Sequence, residues 1–415
     1  MGSNQDGNDG KFILTRELLD EALPKFAIAT KAVHADDFSS THKAIAPCMH
    51  TAVNFRYHRD PDTLKPHENT DPANPQDSHI YARYTAPNTT RFEKVLREIF
   101  GGRVISYSCG LAAFHGIMCL LRPKRIFITE GYHGVHRGIR LMERLIGVQK
   151  LTLEDLDQLE AGDIVHVETP LNPTGTARNL EYYADKAHAK GAYLVVDSTF
   201  APPPLQNPLN QGADLVMHSG TKYIGGHSDM LCGLLVVPQH RVDEGWDGTL
   251  IEDRRTYGSI MGNMESWLGL RSLRTLDLRV GKQSATATEL VSWLSTELQK
   301  PDSVIARTIE KVEHASIQHD ALKQGWLQKQ MPGGYGPVFS LWTKKAEIAQ
   351  RLPSRLYVFQ HATSLGGVES LMEWRAMSDE GRDPRVLRVS CGVEDVNDMK
   401  TDIQQALESM IRDFP

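Results

Sequence analysis

The chain has 415 residues, 40% apolar and 24% charged, which leaves ample material for a buried core and excludes the collagen-like, coiled-coil and disordered classes. A formal net charge of −6 argues against a general nucleic-acid or anionic-membrane binder, either of which needs a dominant basic surface. No apolar run approaches the ~20 residues of a membrane span, and five scattered cysteines (Cys48, Cys109, Cys119, Cys232, Cys391) with no CxxC pair fit a reduced compartment better than a disulfide framework.

In chain order, the first ten residues are polar and acidic, with neither the apolar stretch of a signal peptide nor the arginines of a transit peptide. Asp6 stands where a myristoylation site needs Ser or Thr. This segment reads as the disordered tail of a cytoplasmic protein. A short amphipathic helix is expected at 15–26, then a stretch rich in Pro, Asn, Asp and His through Asp71-Pro-Ala-Asn-Pro75 that cannot bury a core of its own. From Arg91 the pattern becomes regular, with a helix at 91–100, a strand at 104–108 and an apolar helix at 111–121. Strands are expected at 125–129, 164–168, 193–197, 215–218 and 231–237, with helices at 136–145 and 180–190 between several of them. Residues 267–298 read as one long helix, and 301–415 as a mixed α+β segment. The alternation predicts an α/β fold with a mostly parallel sheet, whose ligands bind at the carboxyl ends of the strands.

The commonest ligands of such sheets lack their fingerprints. No G-x-G-x-x-G follows the first strand, Ser219-Gly220-Thr221-Lys222 has the wrong spacing for a P-loop, and no G-x-S-x-G elbow occurs. His133 and His136 lack the ordered partners of a metal site and read as ordinary polar histidines, so no metal is expected. What stands out is a set of polar residues where strands end: Ser108 and Gly110, Glu168 and Asn172, Asp197, then Ser219, Thr221 and Lys222. One lysine, one aspartate, small hydroxyls and a glycine-to-helix junction on one rim suit a phosphorylated aromatic aldehyde.

The run H-S-G-T-K-Y-I-G-G-H-S-D (218–229) resembles the pyridoxal-phosphate (PLP) lysine motif of the Cys/Met metabolism enzymes, the cystathionine γ-synthase-like family of aspartate aminotransferase fold type I. Agreement continues in family order through Y-A-R-Y-T-A-P-N-T-T (81–90), S-C-G-L-A-A (108–113), E-T-P-L-N-P (168–173), V-D-S-T-F (196–200), R-S-L-R-T-L (271–276), S-L-G-G-V-E-S-L (364–371) and R-V-S-C-G-V-E (388–394). The resemblance implies an arm at 1–86 reaching the neighbouring subunit, a PLP-binding α/β domain at 87–262 and a smaller C-terminal α+β domain at 263–415. It also implies a homotetramer built as a dimer of dimers.

Residue by residue, the resemblance makes Lys222 the lysine that condenses with the cofactor aldehyde and later moves protons. A surface lysine is the ordinary alternative, and the position after a buried strand opposes it. Asp197 is expected at the pyridine nitrogen; taken alone it reads equally well as a helix cap. The backbone N–H groups of Gly110 and Leu111, with the hydroxyls of Ser219 and Thr221, are expected at the phosphate. Tyr81 and Arg83 are implied to serve the phosphate of the neighbouring subunit, although by themselves they read as an exposed loop. Tyr132 matches the ring-stacking tyrosine, a catalytic position whose hydroxyl is expected to assist proton transfer, and Asn172 the partner of the phenolic oxygen. Arg388, with Ser364 beside it, matches the grip on the substrate α-carboxylate; a surface ion pair and a loop cap are the plainer readings.

Departures from the pattern bear on specificity. Ser198 replaces Asn, His133 replaces a glycine, and Gly134 stands where methionine γ-lyases carry Cys. Thr363 stands where cystathionine-handling members commonly carry Glu, which weakens the case for cysteine as co-substrate; packing in its loop is the alternative for Thr363. The run 369–379, E-S-L-M-E-W-R-A-M-S-D, looks most like fungal members of the family. The expectation is γ-substitution on an activated L-homoserine such as O-acetyl-L-homoserine, through a vinylglycine-type electrophile, by a thiol, amine or carbon nucleophile. A β- or γ-lyase shares every cofactor residue, and a non-catalytic relative is the rival from another class.

Overall fold

A computed structural model describes residues 13–39, 43–64 and 79–413. The polar N-terminal tail and the 71–75 stretch lie outside these residues. The six apolar runs expected as strands, with an unexpected one at 149–151, form a seven-stranded sheet: β1 (Arg103–Tyr107), β2 (Arg125–Phe127), β3 (Gln149–Leu151), β4 (Ile164–Glu168), β5 (Tyr193–Asp197), β6 (Leu215–Ser219) and β7 (Gly233–Val237), in the order β1-β7-β6-β5-β4-β2-β3. β2 to β6 pair in parallel, whereas β7 runs antiparallel to both its neighbours. β4 and β7 are buried along their whole length, as a sheet covered by helices on both faces requires. Alternate residues feed two cores: Val165, Val196, Val216 and Leu234 face one, Ile164, Val195, Leu215 and Leu235 the other. Because the central strands are parallel, Glu168, Asp197 and Ser219 end on the same edge.

A second, antiparallel sheet carries β8 (Ile309–Glu313), β9 (Val338–Thr343), β10 (Leu371–Trp374) and β11 (Val386–Ser390) in the order β10-β11-β9-β8. The helix Leu276–Glu297 joins the two halves. Leu276 and Val280 lie in the core of the large sheet, and Ala287, Leu290 and Leu294 in that of the small one. The single helix expected over 267–298 is in fact two, Asn263–Leu273 and Leu276–Glu297. No Gly or Pro marks the break. The chain turns where Arg274 reaches Ala32 O, Val33 O and Asp36 of the N-terminal segment, a contact with no local signal.

The N-terminal helix is shorter than expected. It runs Arg16–Ala22, capped by the Thr15 hydroxyl accepting from Leu18 N, and passes into a tight turn at Leu23–Lys25 where Pro24 has no N–H to offer. Residues 16–36 pack on this chain's own core through Leu19, Leu23, Ala32 and Ala35. Beyond them Ile45, Met49, Val53 and Tyr57 expose apolar side chains. Among the described residues no helix is long and apolar enough to cross a membrane, and all five cysteines are free.

Asp36 is fully buried, and its carboxylate accepts from Arg91 Nε and Nη2 (2.9 and 2.6 Å) and from Arg274 Nη2 (2.6 Å). Removing one partner of such a pair leaves an uncompensated buried charge. Asp36→Ala is expected to cost roughly 3–5 kcal/mol, while the exposed Asp37→Ala changes stability by less than about 0.5 kcal/mol. Urea unfolding of the two variants checks this, and equal midpoints would contradict it.

Candidate active site

Glu168 and Asp197 are directly paired neighbours at the ends of β4 and β5. Both are buried. Glu168 accepts from Asn172 N at 2.8 Å and from Tyr132 N at 2.7 Å, so one carboxylate fixes two residues of the rim. Asp197 accepts through Oδ1 from Thr199 N and Oγ1 (2.9 and 2.6 Å), and its Oδ2 has no hydrogen-bond partner among the described residues. Burial pushes both carboxyls above the usual range; the Asp197 charge adds to the shift in Glu168, and the Thr199 bonds oppose that in Asp197. Such a pair favours a cation beside it.

Lys222 follows β6 and is largely buried. Its Nζ donates to Ser364 Oγ at 2.7 Å, across 142 residues of sequence. Burial first, and then the nearby Arg388 charge, lower the amine's pKa to about 8 against the opposing pull of Glu373. That makes Lys222 a usable nucleophile and base near neutral pH. Ser364 sits at φ +77°, an uncommon backbone conformation for a non-glycine residue. Gly366 beside it, at φ +87°, lies so close to Lys222 that an added Cβ would stand 2.7 Å from the Lys222 carbonyl carbon. Only glycine allows that approach.

Arg388 lies on β11 directly opposite Glu373 of β10. It is buried, donating from Nη2 to Glu373 Oε2 and Ser364 O (both 2.6 Å) and from Nη1 to Asn172 Oδ1 (3.1 Å). Burial lowers its pKa to about 10 in spite of Glu373, so it remains a cation at neutral pH. Glu373 also accepts from Arg375 Nη1 at 2.6 Å and from Ser378. Arg375 in turn holds Asp379, which also meets His133 Nδ1 at 3.1 Å and Arg382 Nε at 3.8 Å. Burial would raise the Asp379 carboxyl, but the hydrogen bonds from Arg375 and His133 hold it below the usual range.

A helix N-terminus opens at Gly110, the first residue of Gly110–Leu121, with no side chain capping it. A Cβ on Gly110 would meet the Ser219 Cβ at 3.3 Å, so the helix start and the Ser219 hydroxyl share one cradle. Leu111 N lies in the same first turn, a setting that suits an anion. The Thr221 hydroxyl, expected in this cup, instead donates to Cys232 O (3.2 Å) and accepts from Cys232 N (2.9 Å). Tyr132 precedes the helix His133–Ile146 with its ring partly exposed, directly over Gly134, where a Cβ would stand 2.4 Å from the ring. Ser198 turns into the protein, toward Ala201 O and Gln206. Thr363 is exposed beside Ser364.

The chain thus brings Lys222, Ser364, Arg388 and Asn172 into one hydrogen-bonded group, with Asp197 on the adjoining strand end. Tyr81 and Arg83 stay apart from it: Arg83 donates to Arg255 O and stacks on Tyr81 and Tyr84. Sequence reasoning gave no role to Glu168, Thr199 or Glu373. Thr199 stood inside a quoted motif, and its hydroxyl links Asp197 to Ser219 N. Glu373 carried no signal, because its partner comes from the facing strand. No group of three metal-ligating side chains occurs among the described residues.

The chain is similar to known enzymes over most of its length. The chain is 31% identical over 411 residues to cystathionine gamma-lyase of Saccharomyces cerevisiae, covering 92% of this chain and 97% of that one. It is 31% identical over 351 residues to the cystathionine gamma-synthase/O-acetylhomoserine (thiol)-lyase of Bacillus subtilis, covering 79% and 85%. The crystal structure of cystathionine gamma synthase from Xanthomonas oryzae pv. oryzae, in complex with aminoacrylate and cysteine, superposes with a TM-score of 0.80 at 26% identity, over 93% of this chain and 99% of that one. Residues 29–408 match the model of the Cys/Met metabolism PLP-dependent enzymes, and the chain belongs to that family.

Proposed function

We propose that this chain catalyses γ-substitution on an O-activated L-homoserine, such as O-acetyl-L-homoserine, joining Cγ to an incoming nucleophile. The residues present fit pyridoxal 5'-phosphate. The cradle at Gly110, Leu111 and Ser219 suits its phosphate, and the buried Asp197, with an unengaged Oδ2, suits a protonated ring nitrogen. Tyr132 would cover the ring, Asn172 would face its phenolic oxygen, and Lys222 would hold its aldehyde carbon. Thr221, with its proton committed to Cys232, would reach the phosphate only as a neighbour of Ser219. Bound there, the cofactor supplies the electron sink that lets an amino acid lose its α-proton. Lys222 Nζ moves that proton, and Arg388 and Ser364 orient the substrate carboxylate.

The observation that carries an amino-acid substrate is the junction itself. A depressed lysine amine lies one hydrogen bond from Ser364, whose carbonyl is bonded to a buried arginine. Substitution is supported by the exposed, neutral Thr363 and by the similarity to a relative named for O-acetylhomoserine chemistry. The 31% identity to a cystathionine gamma-lyase over nearly its whole length favours elimination as the second reading. Incubation with O-acetyl-L-homoserine, with and without added nucleophiles, separates the two by mass spectrometry: substituted amino acid and acetate in the first case, 2-oxobutyrate, ammonia and acetate with no substituted product in the second. We infer further a cytoplasmic homotetramer built as a dimer of dimers. Apolar side chains exposed along 45–57, and an Arg83 guanidinium engaged with Arg255 O and the Tyr81 and Tyr84 rings, support an arm and an arginine that serve a second copy.

Lys222→Ala is expected to lower turnover by roughly 10²–10⁴-fold or more and to remove the cofactor's absorbance band, with unfolding unchanged; retained colour and activity would place the cofactor on another lysine. Mixing inactive Arg83→Ala and Lys222→Ala subunits is expected to restore part of the activity, because one site of each hybrid dimer is intact. No recovery after confirmed subunit exchange would put Arg83 in its own subunit's chemistry. Cysteine is expected to be a poor co-substrate, and Thr363→Glu to raise its kcat/KM roughly 2- to 5-fold, the size of an exposed charge pair. Efficient use of cysteine by the wild type, unchanged in Thr363→Glu, would make plain cystathionine synthesis the better description.

A further inference from the structure

An alternating row of charges leads out of the carboxylate site: Arg388, Glu373, Arg375, Asp379 and finally His133. All but the last are largely buried, and the His133 side chain is 35% exposed. In the neutral imidazole, a proton on Nδ1 directed at Asp379 makes Nε2 the lone-pair nitrogen, and Nε2 has no hydrogen-bond partner among the described residues. His133 directly follows Tyr132, with ring centroids 4.8 Å apart, and Tyr132 N is tied to Glu168 at the rim. The imidazole is therefore fixed at both ends of its backbone-to-ring path, on the rim of the site, with its basic nitrogen open to an incoming molecule. The charged and titratable groups around it are Asp379 with Arg375 and Arg382 behind it, Tyr132 beside it and His136 on its own helix.

We propose that His133 is the general base for the incoming nucleophile, with Asp379 as its positioning residue. This rests on the substitution reading above. In the net reaction the Cγ–O bond of the activated homoserine breaks, its electron pair leaving on the carboxylate. The nucleophile's lone pair forms the new bond to Cγ, and the nucleophile's proton passes to His133 Nε2, which returns it to solvent. The Nδ1–H bond to Asp379 stabilises the imidazolium so formed, as an orienting carboxylate does for a catalytic histidine. The same row joins the base to Arg388, so the residue that grips the substrate carboxylate and the residue that activates its partner share one rigid ionic support.

The test uses O-acetyl-L-homoserine with two thiols: 2-mercaptoethanol, protonated at pH 7, and 4-nitrothiophenol, already a thiolate. His133→Gln is expected to lower coupling of 2-mercaptoethanol by about 10²-fold and to lose the acidic limb of its pH profile, while coupling of 4-nitrothiophenol changes less than about threefold. Asp379→Asn, which removes the demand for the Nδ1 proton, is expected to shift that limb and to show the same preference for the ionised thiol. A His133→Gln variant that loses both thiols equally, or neither, would overturn the base. A wild type that releases 2-oxobutyrate and incorporates neither thiol would overturn the substitution reading itself, and the base with it.

Discussion

Arg388 is a cation taken out of water, and the site is organised around keeping it there. Desolvating such a group costs several kcal/mol, and the cost is offset only by good geometry and complete hydrogen bonding. The molecule supplies both from three directions: Glu373 from the next strand, the Ser364 carbonyl from a strained loop, and the Asn172 side chain from beyond the end of β4. The small antiparallel sheet is thereby locked against the edge of the large one. Lys222, bonded to the same serine, sits at that junction rather than on either half alone.

The two sides of the junction have opposite electrostatics. On the large-sheet side, Glu168 and Asp197 are neighbouring buried carboxyls whose protons are held more tightly than usual. Arg388, buried on the small sheet, and the part-buried Lys222 at the junction itself are basic groups whose protons are held less tightly. Each set is costly for the protein alone and favourable for a ligand carrying a cationic ring nitrogen at one end and a carboxylate at the other. The helix N-terminus at Gly110 adds a third fixed partial charge, positive, for an anion. This separation of charge across the junction suits a phosphorylated pyridine cofactor and a ligand bearing a carboxylate.

The position of the histidine follows from the same ionic row. Glu373 lies between two arginines and Asp379 beside one, so the charges alternate outward from the carboxylate site, and the terminal imidazole is oriented without being buried. Thr363, exposed next to Ser364 in sequence, adds no charge there.

Much of the large sheet and the presence of the lysine, aspartate and arginine were legible in the sequence. β4 and β5 are mostly apolar runs, broken in β4 by His166, and each ends in an acidic residue, and that pattern is local: a strand buried on both faces writes itself into a few consecutive residues. Motifs such as S-G-T-K and V-D-S-T likewise keep their chemistry within a few positions. What the tertiary structure decided were partnerships between distant residues: Lys222 with Ser364, Arg388 with Asn172, and His133 with Asp379, 142, 216 and 246 positions apart. The same holds for the break at Arg274, which is made by the N-terminal segment and not by any breaker residue, and for Thr221, whose hydroxyl is claimed by Cys232. A hydrogen bond or ion pair depends on where two chain segments meet, and that is set by strand order and register, which no local pattern encodes.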